Sequence, residues 1–196
     1  MRALIFGILL ITTITFGQDK KEEIVKFNPH FSLGAAYSNF FGDNYLSEGH
    51  RNDNYGFFIK LNAIQIYKFN VGGLFDKTKL KATDKAIGGN VGTSNLNTAN
   101  VYLNYNINLN NHVTIEPEIK YGGVEIRQSG FGKKLGTQFG KVYGIGTNIN
   151  YKIDNSLSFF ININYNKFIL DVATTPEFES YFDNSNSLNI SLGIKL

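Results

Sequence analysis

The sequence contains no cysteine among its 196 residues, so disulfides and thiolate-bound metals are excluded throughout. The same absence rules out a lipid-modified N-terminal cysteine. Past residue 16 no apolar run approaches the ~20 residues that a helix needs to cross a bilayer. Hydropathy alone would therefore read the remainder as soluble. That reading is weak, because membrane strands need only ~9–11 residues and half of their side chains face away from lipid. Net charge is also small. Nineteen lysines and arginines stand against 16 acidic residues, a formal +3 that includes Arg2. Nothing resembles the basic stripe of a nucleic-acid binder, and no nucleic-acid partner is expected.

What is present begins with a processing segment. Arg2 supplies a positive start, and an apolar stretch of about 14 residues follows from Ala3 to Phe16, too short to span as a helix. Thr15 and Gly17 are small residues in an A-x-A-like relation, which places cleavage near Gly17 and Gln18. Residues 1–18 are thus expected to be a cleaved signal peptide, 19–26 a periplasmic N-terminal segment, and 27–196 one β-barrel domain. An uncleaved anchor is the alternative for the first segment.

The barrel expectation rests on alternation. Residues 157–168 read LSFFININYNKF, and successive strand side chains point to opposite faces, so this segment has one apolar wall and one wall of asparagine. Similar alternation sets eight strands at about 28–38, 55–64, 67–76, 98–107, 113–126, 139–151, 157–168 and 186–196. In the fifth, Val124 and Ile126 fall out of phase with the preceding apolar set, so Gly122 and Gly123 are expected to form a bulge. Pro117, which removes a ladder hydrogen bond, does not displace that strand.

The connections fall into two classes. Segments 64–68, 108–112 and 153–156 are tight, whereas 39–54, 77–97, 127–138 and 171–184 are long and polar. Strict alternation of long and short is the pattern of periplasmic turns and surface loops. With that topology, Tyr37, Tyr55, Tyr121, Tyr143 and Tyr165 fall near the outer strand ends. Tyr105 and Tyr151 fall near the inner ends, so the two sets are expected to form interfacial aromatic girdles.

The last strand, LNISLGIKL, ends on an apolar residue and looks like the recognition strand read by the barrel-insertion machinery, an expected partner during biogenesis. Such strands most often end in an aromatic, and Leu196 departs from that. Over its mature length the chain is similar to the small OmpA/OmpX-like outer-membrane β-barrel family, and its asparagine-rich style resembles such proteins from Bacteroidetes-type bacteria. The resemblance implies an all-β, eight-stranded antiparallel up-and-down transmembrane β-barrel with short periplasmic turns and four longer extracellular loops. It also implies an outer-membrane location and a monomer. It carries no catalytic motif.

A barrel of eight strands is filled by its own side chains. Here the inward set includes Lys60, Asn62, Asn104, Glu116, Glu118, Lys120, Asn148, Asn162 and Asn164. It reads as a polar network sealing the lumen, with Glu116 and Glu118 paired to Lys60, Lys68 or Lys120. His30 and Ser32 resemble the catalytic pair of outer-membrane lipid A deacylases, but they face the lumen near the periplasmic end. Ser47, Glu48, His50 and Asp53 read as a solvated loop rather than a hydrolase or metal site. The glycines around Gly88 do not follow a strand and open a helix, so no phosphate loop is read there. Thr174, Thr175, Pro176 and Glu177 form a capping box with proline, which predicts a short helix over 176–181.

Lys77, Lys79, Lys81, Lys133 and Lys134 are placed in surface loops, where they could contact lipopolysaccharide phosphates or simply be solvated charge. The leading functional expectation is a non-enzymatic outer-membrane barrel, without cofactor or metal, that stabilises the envelope or presents adhesive loops. Truncating those loops is then expected to leave folding intact. The competing readings are a narrow porin-like channel, an outer-membrane lipid-modifying enzyme, and a soluble lipocalin-like barrel with the opposite facing of the same alternation.

Overall fold

The computed structural model describes residues 25–51, 54–84, 90–154 and 156–196; the expected signal peptide, Asp53 and Gly88 lie outside them. The described chain is a ring of antiparallel strands: β1 (Val25–Phe41), β2 (Asn54–Ile66), β3 (Phe69–Lys81), β4 (Thr93–Tyr105), β6 (Val113–Gly130), β7 (Lys133–Lys152), β8 (Ser158–Asp171) and β9 (Asn184–Lys195). A two-residue strand, β5 (Ile107–Asn108), pairs only with the start of β6. Each long strand pairs with its neighbours in sequence, and β1 with β9 closes the ring. Leu196 continues the closure past β9: its amide donates to the Phe31 carbonyl at 2.8 Å and its carbonyl accepts from the Phe31 amide at 3.2 Å. The eight-strand up-and-down barrel expected from the alternation is the observed fold.

The alternation sets the facing. On β8, Phe159, Ile161, Ile163 and Tyr165 are exposed outward, while Phe160, Asn162, Asn164 and Asn166 are buried within. Isoleucine faces out and asparagine faces in, which is the reverse of a soluble ligand-binding barrel. One register fault reverses the phase of a strand: Ala63 is an extra residue between Asn62 and Ile64, so Ile64 and Ile66 face outward at the end of β2.

No bulge occurs at Gly122 and Gly123. The pairing of β6 with β4 and β7 runs through both glycines without a shift, and Val124 and Ile126 stay in phase, facing inward. They looked out of phase because every inward position was expected to be polar. The bulge in this hairpin lies further on, at Leu135, between the pairs Gln128–Gly136 and Ser129–Lys134.

The strands also run further than the alternation showed. β3 extends to Lys81 and β4 starts at Thr93, so Lys77, Lys79 and Lys81 stand on a strand face rather than in a loop. The expected loop 127–138 is a hairpin that turns on Phe131 (φ 51°) and Gly132 (φ 74°). Two successive positive φ values are the signature of a type I′ turn, whose twist matches the flanking strands. The loop end therefore carries three loops and one projecting hairpin. At the other end, Tyr67 and Lys68 make the expected tight turn, with Tyr67 at φ 54°. From Val25, the first described residue, β1 is already paired, with Ile66 as partner.

Two short helices sit at the loop end: α1 (Tyr45–Glu48) and α2 (Glu179–Asp183). Asn44 caps α1, its Oδ1 accepting from the Ser47 amide at 3.1 Å and from Ser185 Oγ at 2.9 Å. α2 starts three residues after the position expected from the capping box. Residues 176–178 form a turn instead, closed by the Phe178 amide on the Thr175 carbonyl at 2.9 Å, and the N-cap Phe178 has no capping side chain.

Candidate functional site

Two layers fill the barrel, and they differ in chemistry. The layer toward the turn end is charged and amide-rich. Lys60 on β2 pairs with Glu118 on β6 across the lumen, and its ammonium lies 4.0 Å from the centroid of the Tyr102 ring. Glu116 pairs with Lys195 at 2.8 Å, not with Lys60, Lys68 or Lys120; Lys68 is exposed in the turn. Lys120 and Asp76 are buried beside the same central space. Lys60, Lys120 and Lys195 thus face Asp76, Glu116 and Glu118, an even match of sign.

Amides extend this network in a directed chain. Asn164 donates to Asn162, Asn162 to Asn148 at 2.6 Å, and Asn148 to Glu118 at 3.3 Å. On the opposite side Asn70 donates to Asn104 at 2.8 Å, and Asn104 to Glu116 at 3.3 Å. Tyr102 reaches Asn62 at 3.5 Å. Asn162, Asn148 and Asn104 each accept and donate at once, whereas the carbonyl oxygens of Asn100, Asn164 and Asn166 meet no donor among the described residues.

The space left over is small. One cavity of about 30 Å³ lies among Lys60, Asp76, Glu118 and Lys120. A second of about 20 Å³ lies among His30, Ser32, Glu116 and Lys195. One water centre needs ~10–15 Å³, so the two cavities have room for only about one to three waters each. Lys60 and Asn148 line both cavities and stand between them.

Above this layer the lumen is mainly apolar. Phe40, Leu80, Leu96, Val124, Ile126, Val142, Phe168 and Leu170 form one buried cluster with Tyr45 and Leu46 of α1; Val172, Tyr181 and Phe182 pack against it. A lumen filled throughout by amides is therefore corrected: asparagine shares the turn-end half with a small cluster of Ala36, Phe58, Leu74, Tyr102 and Phe160, and a hydrophobic core with buried Ser38, Thr78 and Ser94 at its edge fills the loop-end half. The first loop is not a solvated segment either. Tyr45, Leu46 and His50 are buried, and His50 Nε2 lies 2.9 Å from Ser94 Oγ. Burial holds the His50 ring below the usual histidine range and raises the Tyr45 hydroxyl. Tyr181 donates to Glu48 Oε2 at 2.9 Å, joining the first and last loops. Burial and then that carboxylate push the Tyr181 hydroxyl up to about 12. Truncating these loops would remove core side chains, contrary to the sequence expectation.

His30 and Ser32 face the lumen two positions apart on β1, about 6–7 Å along the strand. They line the smaller cavity with Glu116 and Lys195 and present no opening toward the outer face. Among the described residues no group of three or more histidines and carboxylates is placed to hold a metal.

The outer wall carries an aliphatic belt with rings at both ends. Tyr37 packs on Tyr55 and Tyr121 on Tyr143 toward the loops, at 5.6 and 5.0 Å between centroids. Phe69 packs on Tyr105 at 4.8 Å toward the turns, where Tyr151 stacks on His112 at 6.1 Å. Tyr165 is held by Asn186 at 2.7 Å. Lys77, Lys79 and Lys81 alternate along the outer face of β3, and Lys133 and Lys134 begin β7 just after the hairpin turn. Sequence reasoning placed Lys195 on the inward face but did not pair it, and it missed Asp76. Both sit at inward positions of their strands, which was the available signal.

No protein-family profile and no curated protein matches the chain. Its fold matches that of Neisserial surface protein A (NspA), with a TM-score of 0.62 and 14% identity over 88% of this chain and 97% of that one. The attachment invasion locus protein Ail of Yersinia pestis aligns at a TM-score of 0.47 and 15% identity, covering 86% and 97%. The N-terminal β-barrel domain of Pseudomonas aeruginosa OprF aligns at 0.47 and 13%, covering 86% and 98%. The chain thus has the fold of the small outer-membrane β-barrels.

Proposed function

We propose that this chain is a non-enzymatic outer-membrane protein whose barrel is a closed, non-conducting body with a structural role in the envelope. Its three loops and one hairpin form the surface-facing end. The observation that carries this reading is the pairing of an apolar, ring-bordered exterior with an interior closed twice, by a charge-matched amide network and by an apolar cap. The first feature suits lipid, since exposed side chains such as Val101, Ile145 and Leu192 are each about 60% accessible on a continuous belt. The second counts against a channel, because a conducting path needs a continuous wet bore.

The lysines of the outer face supply the expected partner, the phosphate groups of outer-leaflet lipopolysaccharide. An enzyme acting on lipid is disfavoured by the lumen-facing placement of His30 and Ser32, away from the lipid. The test joins two measurements on the full chain. The boiled and unboiled protein from an outer-membrane fraction should migrate differently on a gel, and the purified protein should give no steady conductance in planar bilayers. A protein recovered from the soluble fraction, indifferent to boiling, would overturn the membrane reading; open-channel steps would overturn the closed lumen.

A further inference from the structure

Two glycine pairs lie in the wall, Gly72–Gly73 on β3 and Gly122–Gly123 on β6, and their members have different surroundings. A methyl on inward-facing Gly72 would meet the Tyr102 hydroxyl oxygen at 2.6 Å, and one on Gly122 would meet Asn100 Cα at 2.6 Å. Packing inside the barrel therefore requires glycine at those two positions. The outward members are not so constrained. A methyl on Gly73 would find its nearest neighbour, the Asn100 carbonyl oxygen, at 4.0 Å, and one on Gly123 the Gly140 carbonyl oxygen at 3.9 Å. Glycine weakens a strand by roughly 0.5–1 kcal/mol relative to alanine, and nothing within the protein compensates at Gly73.

What the small outward residues create is depth. Gly73 and Ala99 floor an apolar slot of about 580 Å³ in the outer wall, flanked by Ile59, Phe75, Val101 and Tyr121. It is an open groove rather than an enclosed pocket, so an occupant would lie along the wall and keep one side toward the surrounding lipid. At the loop-end mouth of the slot the chemistry changes abruptly. Lys77 and Lys79 continue the outward row of β3 directly past Phe75, and Lys141 pairs with Gly123 from β7. Asn97 and Asn95 on β4 stand beside Lys77 and Lys79. The acidic residue in this patch, Glu125, is held by Arg127 at 2.9 Å and by the Asn97 amide N–H, which leaves the Asn97 carbonyl oxygen as its acceptor toward a ligand.

We propose that this slot and its basic mouth form one binding site for a phosphorylated glycolipid of the outer leaflet. A single acyl chain lies in the slot, a phosphate rests on Lys77 and Lys79, and sugar hydroxyls meet the Asn95 and Asn97 amides. An apolar trough ending in cations matches an amphiphile with an anionic head. The neighbouring amides favour a sugar headgroup over a plain phospholipid. The inference rests on the outer-membrane reading above and narrows its lipopolysaccharide contact from scattered surface charge to one built site.

The test is native mass spectrometry of the full-length barrel released from micelles containing lipid A, dephosphorylated lipid A or phosphatidylglycerol. Heat-modifiable migration verifies the fold of every sample. Wild-type protein should retain one lipid A, about tenfold more than either competitor, a difference of ~1.4 kcal/mol. Filling the slot with Gly73→Leu and Ala99→Leu should abolish retention with all lysines intact. K77Q with K79Q should erase the preference for the phosphorylated form. Equal retention by the slot-filled and wild-type proteins, or equal retention of phosphatidylglycerol, would overturn the site. Either result in a folded, heat-modifiable sample would leave the membrane barrel itself standing, whereas loss of heat-modifiable folding in lipid would remove the reading on which the site depends.

Discussion

The ammonium of Lys195 lies 2.8 Å from Oε1 of Glu116, so the final strand is fastened to β6 through the lumen as well as to β1 and β8 through its backbone. Together with the Lys60–Glu118 pair, it places two cross-lumen ties in the turn-end layer. The ring closes around these ties, whose partners stand 58 and 79 positions apart in the sequence. Charge in this lumen is therefore a matter of matched pairs, and removing one member leaves its partner buried and uncompensated.

That asymmetry defines the first expectation. Glu118→Gln alone should destabilise the barrel by about 3 kcal/mol, because Lys60 loses its carboxylate partner within a buried layer. Adding Lys60→Met should recover most of the loss. Urea unfolding of the refolded protein in lipid vesicles gives the three values needed for the cycle. Strictly additive losses would show that the two residues do not interact.

The glycine pairs give a second contrast between adjacent residues. Gly72→Ala drives a methyl into the Tyr102 ring and the Leu61 carbonyl, and overpacking of this kind costs about 1–3 kcal/mol. Gly73→Ala points into open space on the outer wall and should be neutral or slightly stabilising. The folded fraction on an unboiled gel, titrated with urea, separates the two. Equal sensitivity at both positions would contradict the assigned facing of β3.

The apolar cap should behave as a protein core, not as loop packing. Leu80 and Ile126 are fully buried, so Leu80→Ala and Ile126→Ala should each cost about 2–5 kcal/mol. Ile145→Ala, on the outer wall, should cost clearly less when measured in the same lipid. Bilayer conductance should remain absent in all three, since the Lys60–Glu118 layer still closes the bore beneath. A conducting Ile126→Ala protein would make the cap, rather than the charged layer, the seal.

Legibility in the sequence followed the contrast between the two walls. On β8 isoleucine alternates with asparagine, so strand, phase and facing could all be read. On β6 beyond Gly122 the inward residues Val124 and Ile126 are apolar, because the loop-end lumen is a hydrophobic core. An apolar inward residue looks like a phase slip when only one dimension is visible, so a bulge was expected where none exists. Residues 127–138 are polar on both faces, so alternation vanished and a hairpin read as a loop. The Lys195–Glu116 tie was hidden for another reason: it joins residues 79 positions apart, and only ring closure brings them together. The outer slot was hidden too, since a glycine required by packing and a glycine facing open space are the same letter.

His50 offers a pH readout of the cap alone. Its ring is 3% exposed, lies edge-on to Tyr45 at 5.3 Å, and places Nε2 2.9 Å from Ser94 Oγ. The first loop is joined there to the end of β3 by a bridge from His50 to Ala82. Burial lowers the folded-state pKa of this ring below the ~6.5 of an exposed histidine. In the window below that value the unfolded chain binds a proton that the folded cap rejects. Stability contributed by the neutral ring is therefore full above about pH 6.5 and is lost as pH falls toward the lowered folded value, with a slope of at most ~1.4 kcal/mol per pH unit. Proteolysis of the loop end, followed from pH 8 to pH 5, should accelerate for the wild type more than for His50→Gln, whose amide carries no titrating proton. Parallel profiles for the two proteins would mean that the ring does not enter the cap as a buried neutral group.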